Sequence, residues 1–119
     1  MDINDFGHFS NPSLLILASL AGGEKHGYAI MKDVETQTDG RMKMGPGTLY
    51  GSIKRMLADG LIEDAGEKVD HDDERRRYYQ LTEFGRTALH AEMQRYLETV
   101  LLIQKRQLLP GLSVKVVYE

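Results

Sequence analysis

Residues 44–63 read MGPGTLYGSIKRMLADGLIE, and this stretch decides the fold. Pro46 suits the first turn of a helix, and Asp59-Gly60 suits its C-terminal end. Apolar side chains between these points recur at i, i+4, i+7 and i+8, which places them on one helical face. This predicted buried stripe consists of Leu49, Ile53, Met56 and Leu57. The stretch therefore predicts an amphipathic helix, the third along the chain.

The opposite face of this helix carries glycines, hydroxyls and cations, and no acid. A glycine inside an exposed helix costs about 1 kcal/mol relative to alanine, and contact with water alone does not offset that cost. Glycine does let the backbone approach a groove or a phosphate closely, and N–H groups at a helix start bind phosphate oxygens. These features are typical of a recognition helix that enters the major groove of DNA by its N-terminal half. The predicted DNA contacts here are Lys43, Gly47, Thr48, Tyr50, Gly51, Lys54 and Arg55.

Positive charge is concentrated in two short places, although the 119-residue chain has a formal net charge of −3. Residues 1–40 contain six acids and two lysines, whereas residues 41–58 contain four bases and no acid. The second basic place is Arg75-Arg76-Arg77. The distribution of charge says more about nucleic-acid binding than the total does. The third helix alone still allows an alternative, an ordinary amphipathic helix with cations on its wet face.

The rest of the chain predicts two helices before the third helix and a hairpin after it. The segments SNPSLLILASLAGG (10–23) and HGYAIMKDVETQTDG (26–40) have helix-stop residues and apolar residues at helical spacing. Strands are predicted at Leu61–Ala65 and Arg75–Leu81, with a polar hairpin tip at Gly66–Glu74. Three helices followed by a two-stranded wing form a winged helix-turn-helix. The predicted fold is therefore mainly α, of the α+β winged-helix type.

Thr82 caps a last helix that is predicted to run to about Leu109. Its apolar residues are spaced 4, 3, 4 and 3, which is a heptad seam. The predicted dimer interface is Leu89, Met93, Tyr96, Leu97, Val100 and Ile103. So small a monomer leaves this stripe uncovered, and a two-fold homodimer covers it; the alternative is a helix that folds back on its own domain. Residues 1–81 are thus the predicted DNA-binding domain, 82–109 the dimerisation helix, and 110–119 a tail of uncertain structure.

The arginines beside the hairpin tip offer a second DNA contact. Arg75 and Arg76 are placed to bind the backbone phosphates that flank the groove. The alternative is an exposed strand whose arginines pair with the acids DDE at 72–74. Residues 68–79 contain four bases and four acids, so the wing has no net charge. Its charge therefore does not decide between phosphate contact and pairing with the acids.

The chain resembles the PadR family of bacterial transcriptional regulators over about residues 13–109. The resemblance is carried by HGYAI, GPGTLYGSIKRMLADGLIE and RRRYYQLTEFG, in the order and spacing of the family. It implies a winged-helix domain with a C-terminal dimerisation helix, and binding to a double-stranded DNA operator that usually represses transcription. The chain departs from the family pattern in the acid-rich DHDDE, where a glycine-rich wing tip is usual, and in the tail LSVKVVYE.

The same resemblance implies a small aromatic effector. Some PadR-like regulators bind flat aromatic molecules between their dimer helices, where an aromatic side chain stacks on the ligand. Tyr96 matches that aromatic position, and Leu14 would line the same space. The alternative is that Tyr96 is simply part of the interface core.

Other function classes find little support. The chain has no cysteine, and the four consecutive residues HDDE at 71–74 cannot all face one metal ion. We therefore expect no enzyme, no catalytic residue, no metal and no cofactor, and we interpret His26 as a capping or packing residue. No apolar run reaches the roughly 18 residues of a membrane helix, so a cytoplasmic protein is expected. The remaining alternative to a DNA-binding regulator is a winged helix used as a protein-interaction module.

Overall fold

The computed structural model describes residues 11–69 and 71–112. Within them, three helices are followed by a hairpin and a long last helix, and a short strand precedes the second helix. The elements are α1 (Asn11–Ala21), β1 (Lys25–His26), α2 (Gly27–Gln37), α3 (Pro46–Ala58), β2 (Ile62–Val69), β3 (Arg75–Leu81) and α4 (Glu83–Lys105). Residues 113–119 of the predicted tail and residues 1–10 of the predicted DNA-binding domain lie outside the described residues.

The third predicted helix is α3, and it begins and ends where the sequence predicts. Gly45 is its N-cap residue and Pro46 occupies the first turn. Gly60 follows the helix with a left-handed φ of 74°, a conformation that glycine adopts without strain. The Leu61 N–H then donates to the Met56 carbonyl oxygen at 2.9 Å, which closes the helix end.

One side of α3 packs into a core shared by the helices and the sheet. Leu49, Ile53 and Met56 are buried, as predicted. The prediction for Leu57 is wrong, because 38% of this residue is exposed, and Ser52 is buried instead. The core-facing side of α3 is centred between Leu49 and Met56. At about 100° per residue, Ser52 lies nearer to that centre than Leu57 does.

The strands form one antiparallel sheet in the order β1-β3-β2. The predicted two-stranded wing is therefore part of a three-stranded sheet. Lys25 and His26 of β1 pair with Tyr79 and Tyr78 of β3. A strand of two residues is too short to show the alternation by which strands are recognised in a sequence. The bounds of β3, Arg75–Leu81, are those predicted.

The strand β2 is longer than predicted, because it continues past Ala65 to Val69. The pairing register shifts between Asp64 and Gly66, and Gly66 has a φ of 93°. Such a bulge adds an unpaired residue to the strand and interrupts its period of two. The predicted strand end at Ala65 and the predicted hairpin tip at Gly66–Glu74 are therefore both wrong.

The first turns of α4 are part of the folded domain. Thr82 is the predicted cap, and its Oγ1 accepts a hydrogen bond from the Gly85 N–H at 2.9 Å. A Cβ atom on Gly85 would lie 1.8 Å from the Leu61 carbonyl oxygen, so only glycine allows this close contact. Ala88 and Glu92, further along the helix, are also buried. The start of α4 is thereby fixed against the end of the α3–β2 turn and against α1.

The far end of α4 lies at Lys105 rather than at about Leu109, which corrects the predicted bound. Gln107 adopts a left-handed φ of 55°. The Leu108 N–H donates back to the Ile103 carbonyl oxygen at 3.1 Å. A left-handed residue of this kind often ends a helix, but it is usually glycine or asparagine. Neither residue type directly follows α4, so the sequence does not signal this helix end.

Candidate nucleic-acid interface

The outward face of α3 is a surface of open backbone. Gly47 and Gly51 are exposed, and a Cβ atom built on either would meet no other heavy atom within 4 Å. Internal packing therefore does not require glycine at these two positions. The lack of side chains leaves the helix backbone itself as the outer surface, which is the property that close approach to a DNA groove needs. The other predicted contacts of this region, Lys43, Thr48, Tyr50, Lys54 and Arg55, are exposed as well.

The cations of this face have no acidic partner among the residues that the structure describes. Within residues 11–69 and 71–112, no carboxylate forms an ion pair with Lys43, Lys54 or Arg55. Arg55 makes one long hydrogen bond, from Nη2 to the Ser52 Oγ at 3.4 Å. These three side chains are consequently available to solvent anions.

Tyr50 leans from α3 toward the start of α2. The side chain is 52% exposed, but a Cβ atom on Gly27 would lie 2.6 Å from the Tyr50 hydroxyl oxygen. Gly27 is thus the residue that allows Tyr50 to cross the N-terminus of α2. The same ring lies near Tyr79, whose hydroxyl pKa is raised by burial and by the neighbouring Tyr50.

Arg76 is the most enclosed of the three wing arginines. Its Nη2 lies 3.0 Å from Glu74 Oε2 and 3.5 Å from Asp72 Oδ2, and its side chain is 22% exposed. Its guanidinium also lies 5.4 Å from the centre of the Tyr28 ring. For Arg76, the arrangement considered as an alternative, pairing with acids of the hairpin tip, is therefore present in the structure.

Arg75 and Arg77 differ from Arg76 in their partners. Arg77 pairs with Asp64 and with Glu67 of β2. The pKa of the Asp64 carboxyl is lowered by the Gly66 N–H, which donates to it at 2.6 Å, and by Arg77. Arg75 is exposed and forms no ion pair with the part of the chain that the structure describes.

A groove of about 210 Å³ joins the two basic places. It is lined from three sides, by Tyr50 of α3, by Tyr28 at the start of α2, and by Arg75 and Arg76 of β3. The structure thus brings the third helix and the wing to one surface, which the sequence could only treat as two separate segments.

His26 and Tyr28, which the sequence analysis did not select as site residues, organise this surface. His26 caps α2, because its Nδ1 accepts the Ala29 N–H at 3.1 Å, and this confirms the interpretation of His26 as a capping residue. Its ring meets the Tyr78 ring edge-on at 5.3 Å. Tyr28 is exposed and carries Lys32 and Arg76 near its ring. The available signal for Tyr28 in the sequence is the segment HGYAI, which is one of the segments that carry the family resemblance.

The predicted dimer and effector residues lie along α4, from Leu89 to Ile103, and on α1. Tyr96 is 41% exposed, and the side chain of Leu14 is half-buried. The second pocket described, of about 420 Å³, lies between α1 and α2, and neither pocket is lined by Leu14 or Tyr96. Of the predicted interface, Met93, Tyr96 and Leu97 are exposed, whereas Leu89, Val100 and Ile103 are half-buried.

The described ranges, 11–69 and 71–112, contain neither a candidate metal cluster nor a candidate membrane span. Across them, no three histidine, aspartate or glutamate side chains are grouped so that they could hold a metal ion. In the same ranges, every helix is too short or too polar to cross a membrane.

Residues 16–91 match the model of the transcriptional regulator PadR-like family. The chain belongs to this family. It is 35% identical over 100 residues to a transcriptional regulator of Mycobacterium tuberculosis, with 84% of each chain covered. It is 39% identical over 83 residues to an uncharacterised transposon protein of Streptomyces fradiae, and this match spans 70% of the chain but only 22% of that longer protein. The family consists of transcriptional regulators rather than enzymes, as the sequence predicts.

Solved structures of transcriptional regulators share the fold. A transcriptional regulator from Clostridium thermocellum superposes with a TM-score of 0.65 at 27% identity, covering 78% of this chain and 89% of that one. A PadR family regulator from Clostridium difficile gives a TM-score of 0.68 at 24% identity, with coverage of 82% and 99%. Bacillus subtilis PadR in complex with operator DNA gives 0.56 at 18% identity, with coverage of 90% and 51%. The α+β winged helix predicted from the sequence is thereby confirmed.

Proposed function

We propose that this PadR-family regulator binds a palindromic DNA operator as a homodimer and represses transcription in the cytoplasm. The observation that carries the proposal is the outward face of α3, where the backbone is open at Gly47 and Gly51 and the neighbouring cations have no carboxylate partner in the described ranges. A surface of this kind fits the edge of a groove between two rows of phosphates. The operator complex of the Bacillus subtilis relative is consistent with it.

DNA contact is divided between base edges and phosphates in this proposal. Thr48 and Tyr50, beside the two open glycines, lie where hydroxyl groups can reach base edges in the major groove. The lysines and arginines of α3 and the wing contact phosphates, since long cationic side chains at the rim of a recognition helix usually do. The proposed phosphate contacts are Lys43, Lys54, Arg55, Arg75 and Arg76.

The homodimer rests on the apolar surface of α4. Beyond Glu92, the helix exposes Met93, Tyr96 and Leu97 on the predicted seam. Burying apolar surface contributes about 25 cal/mol per Å², so a second copy that covers this seam is favoured. A two-fold dimer would present two α3 helices to half-sites about 34 Å apart, which is one turn of DNA. Residues 82–109 then act as the dimerisation unit of the proposal.

A small aromatic effector would act at the same dimer axis. Tyr96 presents a ring on the exposed side of α4, and Leu14 of α1 supplies an apolar wall in the proposed dimer. Planar aromatic compounds should raise the melting temperature of the parent protein, and Tyr96→Ala should abolish that rise. Tyr28→Ala, which also removes one exposed tyrosine but from α2, is the control. Equal responses in parent and Tyr96→Ala would leave Tyr96 as interface core only.

Selection of bound sites from random double-stranded DNA tests the function directly. The proposal predicts one enriched palindrome, bound in a salt-dependent manner because phosphate contacts release counterions. Binding to the selected site should exceed binding to a scrambled site by about a thousandfold or more. No enriched sequence, together with no salt-dependent binding, would favour the alternative function of a winged helix that binds another protein.

A further inference from the structure

The acids of the hairpin tip hold Arg76. Glu74 and Asp72 lie on one side of its guanidinium, at 3.0 Å and 3.5 Å from Nη2. The Tyr28 ring also lies near this guanidinium, with its centre 5.4 Å from the guanidinium carbon. The side chain is enclosed by this arrangement, unlike the exposed Arg75 next to it.

We propose that Asp72 and Glu74 form an autoinhibitory contact, in which their carboxylates compete with DNA phosphates for Arg76. The inference rests on the DNA-binding function proposed above. Carboxylates and phosphates are both bound by guanidinium through its N–H donors, so the two kinds of anion use the same donor groups. A phosphate gains the full contact with Arg76 only after the two carboxylates release it.

The two acids could either compete with DNA for Arg76 or orient Arg76 towards DNA. The geometry favours competition. The Tyr28 ring already lies beside the guanidinium, which gives Arg76 a contact on this surface that does not depend on the carboxylates. Asp72 and Glu74 instead add negative charge beside the groove that joins α3 to the wing, and Glu74 lines that groove. Negative charge there repels an approaching phosphate. The acids therefore lower the affinity for DNA of every sequence, rather than select one.

The contact also changes the salt dependence of binding. When a phosphate takes Arg76, the released carboxylates attract cations from solution. This uptake offsets part of the counterion release that accompanies phosphate contacts. The parent should therefore show a shallower dependence of affinity on salt than a variant that lacks the two acids.

The test is a comparison of Asp72→Asn/Glu74→Gln with the parent, by fluorescence anisotropy on operator and scrambled DNA at several salt concentrations. Asp73→Asn is the matched control, because it removes one charge from the same tip, and asparagine tolerates the φ of 66° at this position. The double variant should bind both DNAs about threefold to tenfold more tightly at low salt, with a steeper salt slope. Each single variant, Asp72→Asn or Glu74→Gln, should gain more than Asp73→Asn does.

A cycle with Arg76→Ala separates local competition from general electrostatics. In the Arg76→Ala background, removing the two acids should give a gain no larger per charge than that of Asp73→Asn. A gain per charge in this background that exceeds that of Asp73→Asn would overturn the inference, and so would unchanged or weaker binding by the double variant. In either case, salt-dependent binding by the parent would still support the proposed function. If neither the parent nor the variant without the acids binds DNA, the function fails and the inference fails with it.

Discussion

The helices α3 and α4 each turn one side into the core, but their outward sides have opposite chemistry. The outward side of α3 presents open backbone at Gly47 and Gly51, together with hydroxyls and cations. The outward side of α4 beyond Glu92 presents large apolar side chains, among them Tyr96 and Leu101. One small chain therefore carries both a polar, cationic helix face and an apolar helix face.

The difference indicates which surface needs a permanent partner. A polar, cationic face is already solvated, and it gives up water and counterions only when DNA arrives. An apolar face of several leucines, a methionine and a tyrosine is unfavourable in water at all times, because its exposure costs free energy. We therefore infer that α4 associates first and α3 binds DNA afterwards, and that substitutions can separate the two steps.

The largest expected effect comes from placing charge in the α4 seam. Val100→Glu/Ile103→Glu should raise the dissociation constant of the dimer by about 100-fold or more, because two carboxylates would be buried without partners. Light scattering should show monomers at concentrations where the parent is a dimer. Loss of the dimer should also weaken binding to the full palindrome. The melting curve should stay cooperative, which would show that the variant still folds.

Thr99→Glu/Leu102→Glu is the matched control for that change. It adds the same two charges with the same spacing, one residue earlier on the same helix, at positions that are exposed in the structure and outside the seam. We expect it to remain a dimer. If the seam variant also remains a dimer, the proposed interface is wrong.

A smaller effect is expected from the hydroxyl of Tyr50 on the α3 side. Tyr50→Phe should weaken operator binding by about 1–3 kcal/mol and leave binding to scrambled DNA unchanged, if the hydroxyl meets a base edge. Dimerisation should be unaffected, because Tyr50 lies near the start of α2 and not on α4. Equal losses of affinity for operator and scrambled DNA would instead indicate that the Tyr50 hydroxyl contacts phosphates.

The smallest effect is expected from a single phosphate contact. Arg76→Ala should weaken binding several-fold on every DNA sequence. It should lower the salt slope by less than one, because cation uptake by the released Asp72 and Glu74 offsets part of the counterion release at the Arg76 contact. Arg77→Ala is the control, because Arg77 pairs with Asp64 and Glu67 of β2 and is not among the proposed phosphate contacts. This variant should leave the salt slope unchanged. A loss confined to the operator would show that Arg76 reads bases.

Much of the fold could be predicted because its main signals are local. Pro46 and Gly60 define the ends of α3, Thr82 caps α4, and apolar spacing identifies the buried sides. The failures have physical causes as well. The strand β1 is too short to show a period, a bulge at Ala65 hides the length of β2, and a left-handed Gln107 ends α4 early.

The candidate site was less accessible to sequence reasoning because its organisation depends on distant residues. The sequence shows which residues are cationic, but not that Arg76 is held by two acids against Tyr28. It likewise does not show that Tyr50 leans over Gly27. These contacts join segments far apart along the chain, and no periodicity within one segment reports them.

The central claim is that the open glycine face of α3 meets DNA, and substitution of Gly51 tests it most directly. The measurement compares the parent with Gly51→Ala and Gly51→Glu, by anisotropy on the selected operator and by thermal melting. A side chain at this position meets open space, so both variants should fold and dimerise, and Gly51→Ala should be about 0.5–1 kcal/mol more stable than the parent. Gly51→Glu should bind the operator at least about 100-fold more weakly, because it adds bulk and negative charge against phosphates, with Gly51→Ala intermediate. If Gly51→Glu binds the operator as tightly as the parent does, α3 is not the recognition helix.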